Sequence, residues 1–373
     1  MKRTFRNFLN IKDKIDRMNI LYITYVDFEN VSSGSGIRPA RMYQTFLEEG
    51  HSVKLLSGEC GRNDSKARKN AVLEIMAWLE DNRPDLCYIE SPTYPIMFQC
   101  DYDLIRKLHK MQVPMGYFYR DFYRRFPDLY PRRKGFANTL KEWYLDHLQR
   151  KTDRILKLVD VVYFPSESCF KWFSYKRMKA LPPAGFDCLP TGKERNHTII
   201  YVGGISGHYN GDILLDAVDE LYRRDPGCRM ILVCREAEWK AFEHPCKNAP
   251  WLEVHHASGD ALAPLYARAS AAIIGKKENT YNALAISVKI FEYMSFGLPQ
   301  VIFDNLESGK LLRNEKIGIP VAPTATAMAD ALEKLLNDEQ LYAEYSANIR
   351  DALLNRHLWN HRVRQIIDDL THN

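Results

Sequence analysis

A chain of 373 residues, 46% hydrophobic and 27% charged, is too long for one ordinary core and too apolar for a disordered or fibrous protein. No apolar run reaches the roughly 18 to 20 residues that cross a bilayer, and the opening MKRTFRNFLNIKDKIDRMN lacks the core of a signal peptide. Two domains in a cytoplasmic protein are the expectation.

The net charge of +5 hides an asymmetry. Residues 1–18 hold six basic and two acidic side chains, net +4, and residues 120–157 hold eleven and five, net +6, which leaves the remainder at −5. Two such stretches attract phosphates of anionic lipid or of a phosphorylated acceptor, or else are solvated helix faces. The eight cysteines form no CxxC pair and sit in apolar contexts such as Leu86-Cys87-Tyr88, which reads as reduced packing residues.

In chain order, the β-rich run Asn19 to Val26 is followed by a Gly/Ser loop and a helical pattern from Arg38 to Glu49. Strands at 51–56, 86–89 and 114–119 then alternate with helices at about 67–82 and 103–111, and a long helical stretch at about 139–158 leads into Val161 to Phe164. Residues 181–196 mix Pro, Gly and charge, the composition of a linker. The alternation restarts with strands at 198–202, 229–233, 252–254 and 271–274 and intervening helices, and closes with helices at about 326–336 and 340–355 and a basic-aromatic segment at 358–370. Strands alternating with helices imply parallel sheets joined by right-handed crossovers. The boundaries that follow are an N-terminal domain at 1–185, a C-terminal domain at 196–355, and a segment at 356–373 that returns to the first domain.

One string carries chemistry: Ser287-Val-Lys-Ile-Phe-Glu-Tyr-Met-Ser-Phe-Gly-Leu-Pro299, followed by the strand pattern Gln300 to Phe303. A helix starting near Ser287 places Lys289 and free N–H groups at its positive end, where a diphosphate binds. Glu292, at i+3, can accept hydrogen bonds from two ribose hydroxyls; an i, i+3 ion pair is the competing reading. The glycine turn Tyr201-Val-Gly-Gly-Ile-Ser-Gly-His-Tyr-Asn-Gly211 lies between a strand and a helix, where a ligand approaches the backbone closely. In the first half, Gly34-x-Gly36-x-x-x-Ala40 comes near a dinucleotide fingerprint but is one residue too long, and about eight residues separate it from its strand. Arg120 and Asp121 stand just past the carboxyl end of a parallel strand, where α/β proteins place ligands; an Asp–Arg pair capping the next turn is the alternative.

The 287–299 string resembles the donor-site helix of GT-B glycosyltransferases, which often reads P-x-K-x-x-E-Y-M-A-x-G-x-P-V. The resemblance implies two Rossmann-like α/β domains facing across a cleft, the acceptor held mostly by the first and the donor by the second. It implies a nucleotide-sugar donor, UDP- or GDP-linked, with no further cofactor and no metal. Glu292 would bind the ribose and Lys289 the donor phosphates, with Gly203, Gly204 and His208 forming the turn against the diphosphate and Gly36 and Arg38 the loop near the transferred sugar. The stretch Val113 to Pro127 is similar to glycosyltransferases that read V-P-x-x-x-F-Y-R-D-x-Y-W, which makes Asp121 a general base or a sugar orienter with Arg120 beside it. Two features depart from the pattern. The retaining families' second glutamate falls on Leu284, with Glu278 out of register, and the turn lacks its usual Arg and Lys.

Three strings are set aside. Asp101-Tyr-Asp103 has the DxD form of metal-dependent transferases but precedes a helix, where Asp is a normal cap. His357 and His361 lack a third ligand and read as helix surface, and His255-His256 borders a base pocket at most. The expected acceptor is a glycan or a lipid-linked species, and a peripheral contact with an anionic membrane is the expectation if the basic stretches are more than solvated faces. Two other outcomes stay open: a GT-B epimerase acting on the sugar nucleotide, and an inactive partner subunit.

Overall fold

The computed structural model describes residues 17–28, 34–58, 65–126, 130, 135–190, 195–276 and 279–372. Twelve strands are described: β1 Asn19–Ile23, β2 Ser52–Leu56, β3 Leu86–Glu90, β4 Met115–Phe118, β5 Val161–Phe164, β6 Met178–Ala180, β7 Thr198–Val202, β8 Arg229–Val233, β9 Leu252–His255, β10 Ala271–Ile274, β11 Gln300–Phe303 and β12 Gly318–Val321. Twelve α-helices intervene: α1 Gly34–Glu48, α2 Ser65–Asp81, α3 Gln99–Lys110, α4 Phe136–Ile155, α5 Gly211–Arg224, α6 Glu236–Ala241, α7 Ala263–Arg268, α8 Val288–Ser295, α9 Leu306–Glu315, α10 Ala325–Asn337, α11 Glu339–Arg356 and α12 Trp359–Thr371.

The strands form two six-stranded sheets, in the orders β2-β1-β3-β4-β5-β6 and β12-β11-β10-β7-β8-β9. Every described pairing between them is parallel. Parallel sheets are covered on both faces, so their inner strands are largely apolar. Strands β3, β4, β5, β10 and β11 are accordingly buried from end to end.

By internal packing the chain divides into two compact units. The first holds residues 1–118, 146–161 and 366–373, and the second holds residues 119–145 and 162–365. In the second unit, one core lies beneath α5 and α10 around Trp251 and Met328. The other gathers Ile290, Phe291, Tyr293 and Met294 of α8 with Ile349 and Leu353 of α11.

Several sequence expectations change here. The glycine stretch 34–40 belongs to α1, not to a loop; Gly36 lies in its first turn and is buried. Asp101 does not cap α3. It lies inside the first turn, buried, and its Oδ1 accepts from Arg68 Nε at 3.0 Å and Nη2 at 2.8 Å. His357 is not on a helix surface: it is buried at the end of α11, with Glu315 Oε1 2.9 Å from its Nε2 and Arg362 Nη2 2.9 Å from its Nδ1. Cys60 and Glu278 lie outside the described residues.

Candidate functional site

In the second unit the carboxyl end of β7 opens into Gly203-Gly204, a 3-10 turn at Gly207–Tyr209, and then α5. Gly203 takes a φ of +147° and Gly207 a φ of +57°, values that L side chains rarely adopt. Gly204 faces the Tyr209 ring, 2.7 Å from where its Cβ would stand. Glycine at 203 and 204 therefore makes room for neighbouring side chains as much as for a ligand.

The neighbour of Gly203 is Lys289. Its Nζ lies 3.4 Å from the Tyr201 hydroxyl, 4.7 Å from the Tyr201 ring centroid and 5.2 Å from that of Tyr209. The Tyr201 hydroxyl in turn donates to the Gly204 carbonyl, so Lys289 is tied to the turn by two cation–π contacts and one hydrogen bond. Burial lowers its pKa to about 8, opposed by Glu292 and assisted by Lys276.

Helix α8 starts at Val288 after an extended Ser287. It is seated by Ile290, Phe291, Tyr293 and Met294, all buried, and the Tyr293 hydroxyl accepts from the Val202 N–H at 3.1 Å. The turn after β7 and the start of α8 are thereby locked together. Glu292 leaves this packed face half-buried. Burial raises its carboxyl pKa, against a hydrogen bond from Tyr266 and the charge of Lys289. Among the described residues no ion pair joins Lys289 to Glu292, so the pair is not a simple i, i+3 salt bridge. Two half-buried opposite charges are each destabilised by loss of water, and each eases the other's shift without forming an ion pair.

His208 is exposed, with its ring centroid 4.1 Å from that of Tyr209; burial first, then Lys276 and Lys289, lower its pKa. Asp121 also belongs to the second unit. Its Oδ2 is 2.9 Å from Arg120 Nε, and its Oδ1 accepts from the Tyr281 hydroxyl at 3.2 Å. The 3-10 turn that follows, Tyr123–Arg125, is preceded by Phe122 and has no side-chain cap, so the capping role is absent while the Arg120 pairing is present. Leu284, in the place of the second glutamate, is buried, and its carbonyl accepts from Ser166 Oγ at 2.6 Å.

Arg38 lies in the first unit. Its Nε meets Glu90 Oε1 at 3.1 Å and its guanidinium stacks 3.7 Å over the Phe118 ring, so its charge already has a carboxylate partner. Of the set-aside histidines, His255 pairs with Glu253, and His256 Nδ1 lies 2.9 Å from the Cys234 carbonyl. Among the described residues no group of three His, Cys, Asp or Glu side chains is arranged to hold a metal. Sequence reasoning passed over Tyr201, Tyr266, Tyr281 and Lys276. Lys276 alone had a legible signal, standing two residues past the end of a strand that the pattern did place.

This architecture is that of the GT-B glycosyltransferases. HepE of Anabaena, solved in complex with UDP, superposes with a TM-score of 0.65 at 14% identity, covering 95% of this chain and 100% of that one. A glycosyltransferase of Rickettsia africae gives 0.65 at 13%, covering 96% and 100%. WaaG, a glycosyltransferase involved in lipopolysaccharide biosynthesis, gives 0.60 at 15%, covering 95% and 100%. Residues 213–368 match the model of a family described as glycosyl transferase-like, so the family signature lies in the half that carries Lys289 and Glu292. No curated protein sequence matches the chain significantly.

Proposed function

We propose that the chain transfers a sugar from a nucleoside diphosphate sugar to a hydroxyl of a glycan or lipid-linked acceptor. The observation that carries this reading is the Lys289 ammonium, half-buried between two tyrosine rings beside Gly203, with no carboxylate paired to it among the described residues. A donor diphosphate supplies the missing anion, and Glu292 receives the ribose hydroxyls. The UDP bound by HepE favours a uridine nucleotide.

In the transfer, the acceptor oxygen forms a bond to the anomeric carbon while the bond from that carbon to the diphosphate breaks. Asp121 takes the acceptor's proton, held in place by Arg120 and Tyr281. Lys289 and the backbone N–H groups at the start of α8 stabilise the charge that collects on the leaving diphosphate. Buried Leu284 offers no carboxylate at its position, which leaves the acid–base work to Asp121.

Contact with an anionic membrane forms part of the proposal. No described helix is long and apolar enough to cross a membrane. Helix α4 nonetheless exposes Phe136 (89%), Leu140 (58%), Trp143 (60%) and Tyr144 (39%). Their spacing of i, i+4, i+7 and i+8 puts them on one face, within the stretch of net charge +6. An aromatic stripe with basic neighbours suits the membrane interface.

The test is a panel of nucleotide-sugars with membrane or glycan acceptors, followed by release of nucleoside diphosphate. Transfer supports the reading. Isomerised sugar nucleotide formed without acceptor would make the chain an epimerase, and nucleotide affinity without any turnover would make it a partner subunit.

A further inference from the structure

Lys276 enters none of the motifs above, yet the sheet delivers it to the same place as the glycine turn. Strands β7 and β10 are neighbours, pairing Ile199 with Ala271 and Ile200 with Ala272. Their carboxyl ends therefore release Gly203–Tyr209 and Gly275–Lys276 side by side. The two exits are tied: Asn210 Nδ2 donates to the Gly275 carbonyl at 2.6 Å, and a Cβ on Gly275 would stand 2.9 Å from the Tyr209 carbonyl. Around Tyr209 this gathers His208, its ring 4.1 Å away, and Lys289, its Nζ 5.2 Å away, with Lys276 next in the chain after Gly275. The turn from Tyr201 to Gly211 itself contains no Arg or Lys.

We infer that Lys276 is a ligand of the donor diphosphate, closing with Lys289 and His208 a three-sided basic cradle over Tyr209. The inference rests on the donor reading above and names a residue for it. Crowding three basic groups is costly without an anion. Burial lowers the pKa of Lys276, and the charge of Lys276 adds to burial in lowering those of His208 and Lys289. Two cations on adjacent segments suit two phosphates better than one.

The experiment titrates UDP, UMP, GDP and GMP into wild type, Lys276→Met, Lys276→Arg and Lys289→Met. The expected result is that Lys276→Met weakens the bound diphosphate about ten- to hundredfold, weakens its monophosphate much less, and does not lower the melting temperature. Lys276→Arg should stay within a few-fold of wild type. If Lys276→Met binds the diphosphate as wild type does while Lys289→Met is weakened, the donor reading stands and Lys276 is no ligand. Equal losses for the Met and Arg variants, with a lowered melting temperature, would mark a structural role and overturn the inference. Wild type binding no nucleotide would overturn the donor reading, and this inference with it.

Discussion

Gly203 leaves empty the space that Lys289 fills: a Cβ on Gly203 would stand 1.9 Å from Nζ and 2.6 Å from Cε. With its φ of +147°, glycine here serves both backbone and side chain. Gly203→Ala should expel the ammonium from the tyrosine box and strain the turn by about 1–3 kcal/mol. Calorimetry should show lower nucleotide affinity and a lower melting temperature together, and an unchanged affinity would remove Lys289 from the site.

The Lys289 pKa of about 8, below its usual 10.5, gives two pH dependences. Between these values the unfolded chain holds a proton that the folded chain has released, so this group makes the ligand-free protein more stable as pH rises through the window. Diphosphate affinity should instead fall above about pH 8, by up to about tenfold per pH unit as the ammonium is lost. Titrations from pH 7 to 10 on wild type and Lys289→Met check this; the variant should bind weakly at every pH without the decline.

Asp121→Asn keeps the size of the side chain and its bond from Tyr281 but gives up proton abstraction. Turnover should drop by about 100- to 10,000-fold, with nucleotide affinity and melting temperature nearly unchanged. Because no turn is capped by Asp121, a large loss of stability is not expected. A stable variant with near-normal turnover would end the catalytic assignment.

For the membrane contact, co-sedimentation with anionic vesicles should retain the wild type at low salt and release it at high salt, as about 1 kcal/mol per basic residue is screened. Phe136→Ser combined with Trp143→Ser should reduce retention at low salt while leaving nucleotide affinity intact. Equal retention on neutral and anionic vesicles would contradict the electrostatic part, and equal retention of the double variant would contradict the α4 stripe.

Much of the fold was legible because parallel strands write themselves as short apolar runs. Strands β5, β7, β8, β10 and β11 fall where the pattern put them, to the residue. Strand β12 and helix α9 were passed over: Gly318-Ile-Pro-Val321 is too short and too proline-marked to read as a strand, and α9 opens on Asn305, whose side chain accepts from the Ser308 N–H at 2.9 Å, a cap hidden among polar residues. At the site, the spacing of Lys289 and Glu292 on one helix was visible because both lie on one short segment. The box around Lys289 was not, since Tyr201, Tyr209 and Gly203 meet it only through the β7–α8 packing, a relation between residues some eighty positions apart. Arg38 shows the converse: expected in a loop near the transferred sugar, it lies in α1 and meets Glu90 from a strand 52 positions on.

The central claim is that the second unit holds a nucleotide-sugar donor through α8. The most direct test titrates UDP and GDP into wild type and Glu292→Ala. Helix α8 packs through Ile290, Phe291 and Met294, so the variant should fold normally, and losing a charged partner of the ribose should cost about 1.5 to 3 kcal/mol of binding. The account predicts saturable binding of one of the two nucleotides by wild type and that loss in Glu292→Ala at an unchanged melting temperature. Equal affinities in the two proteins, or no binding by wild type, would contradict it.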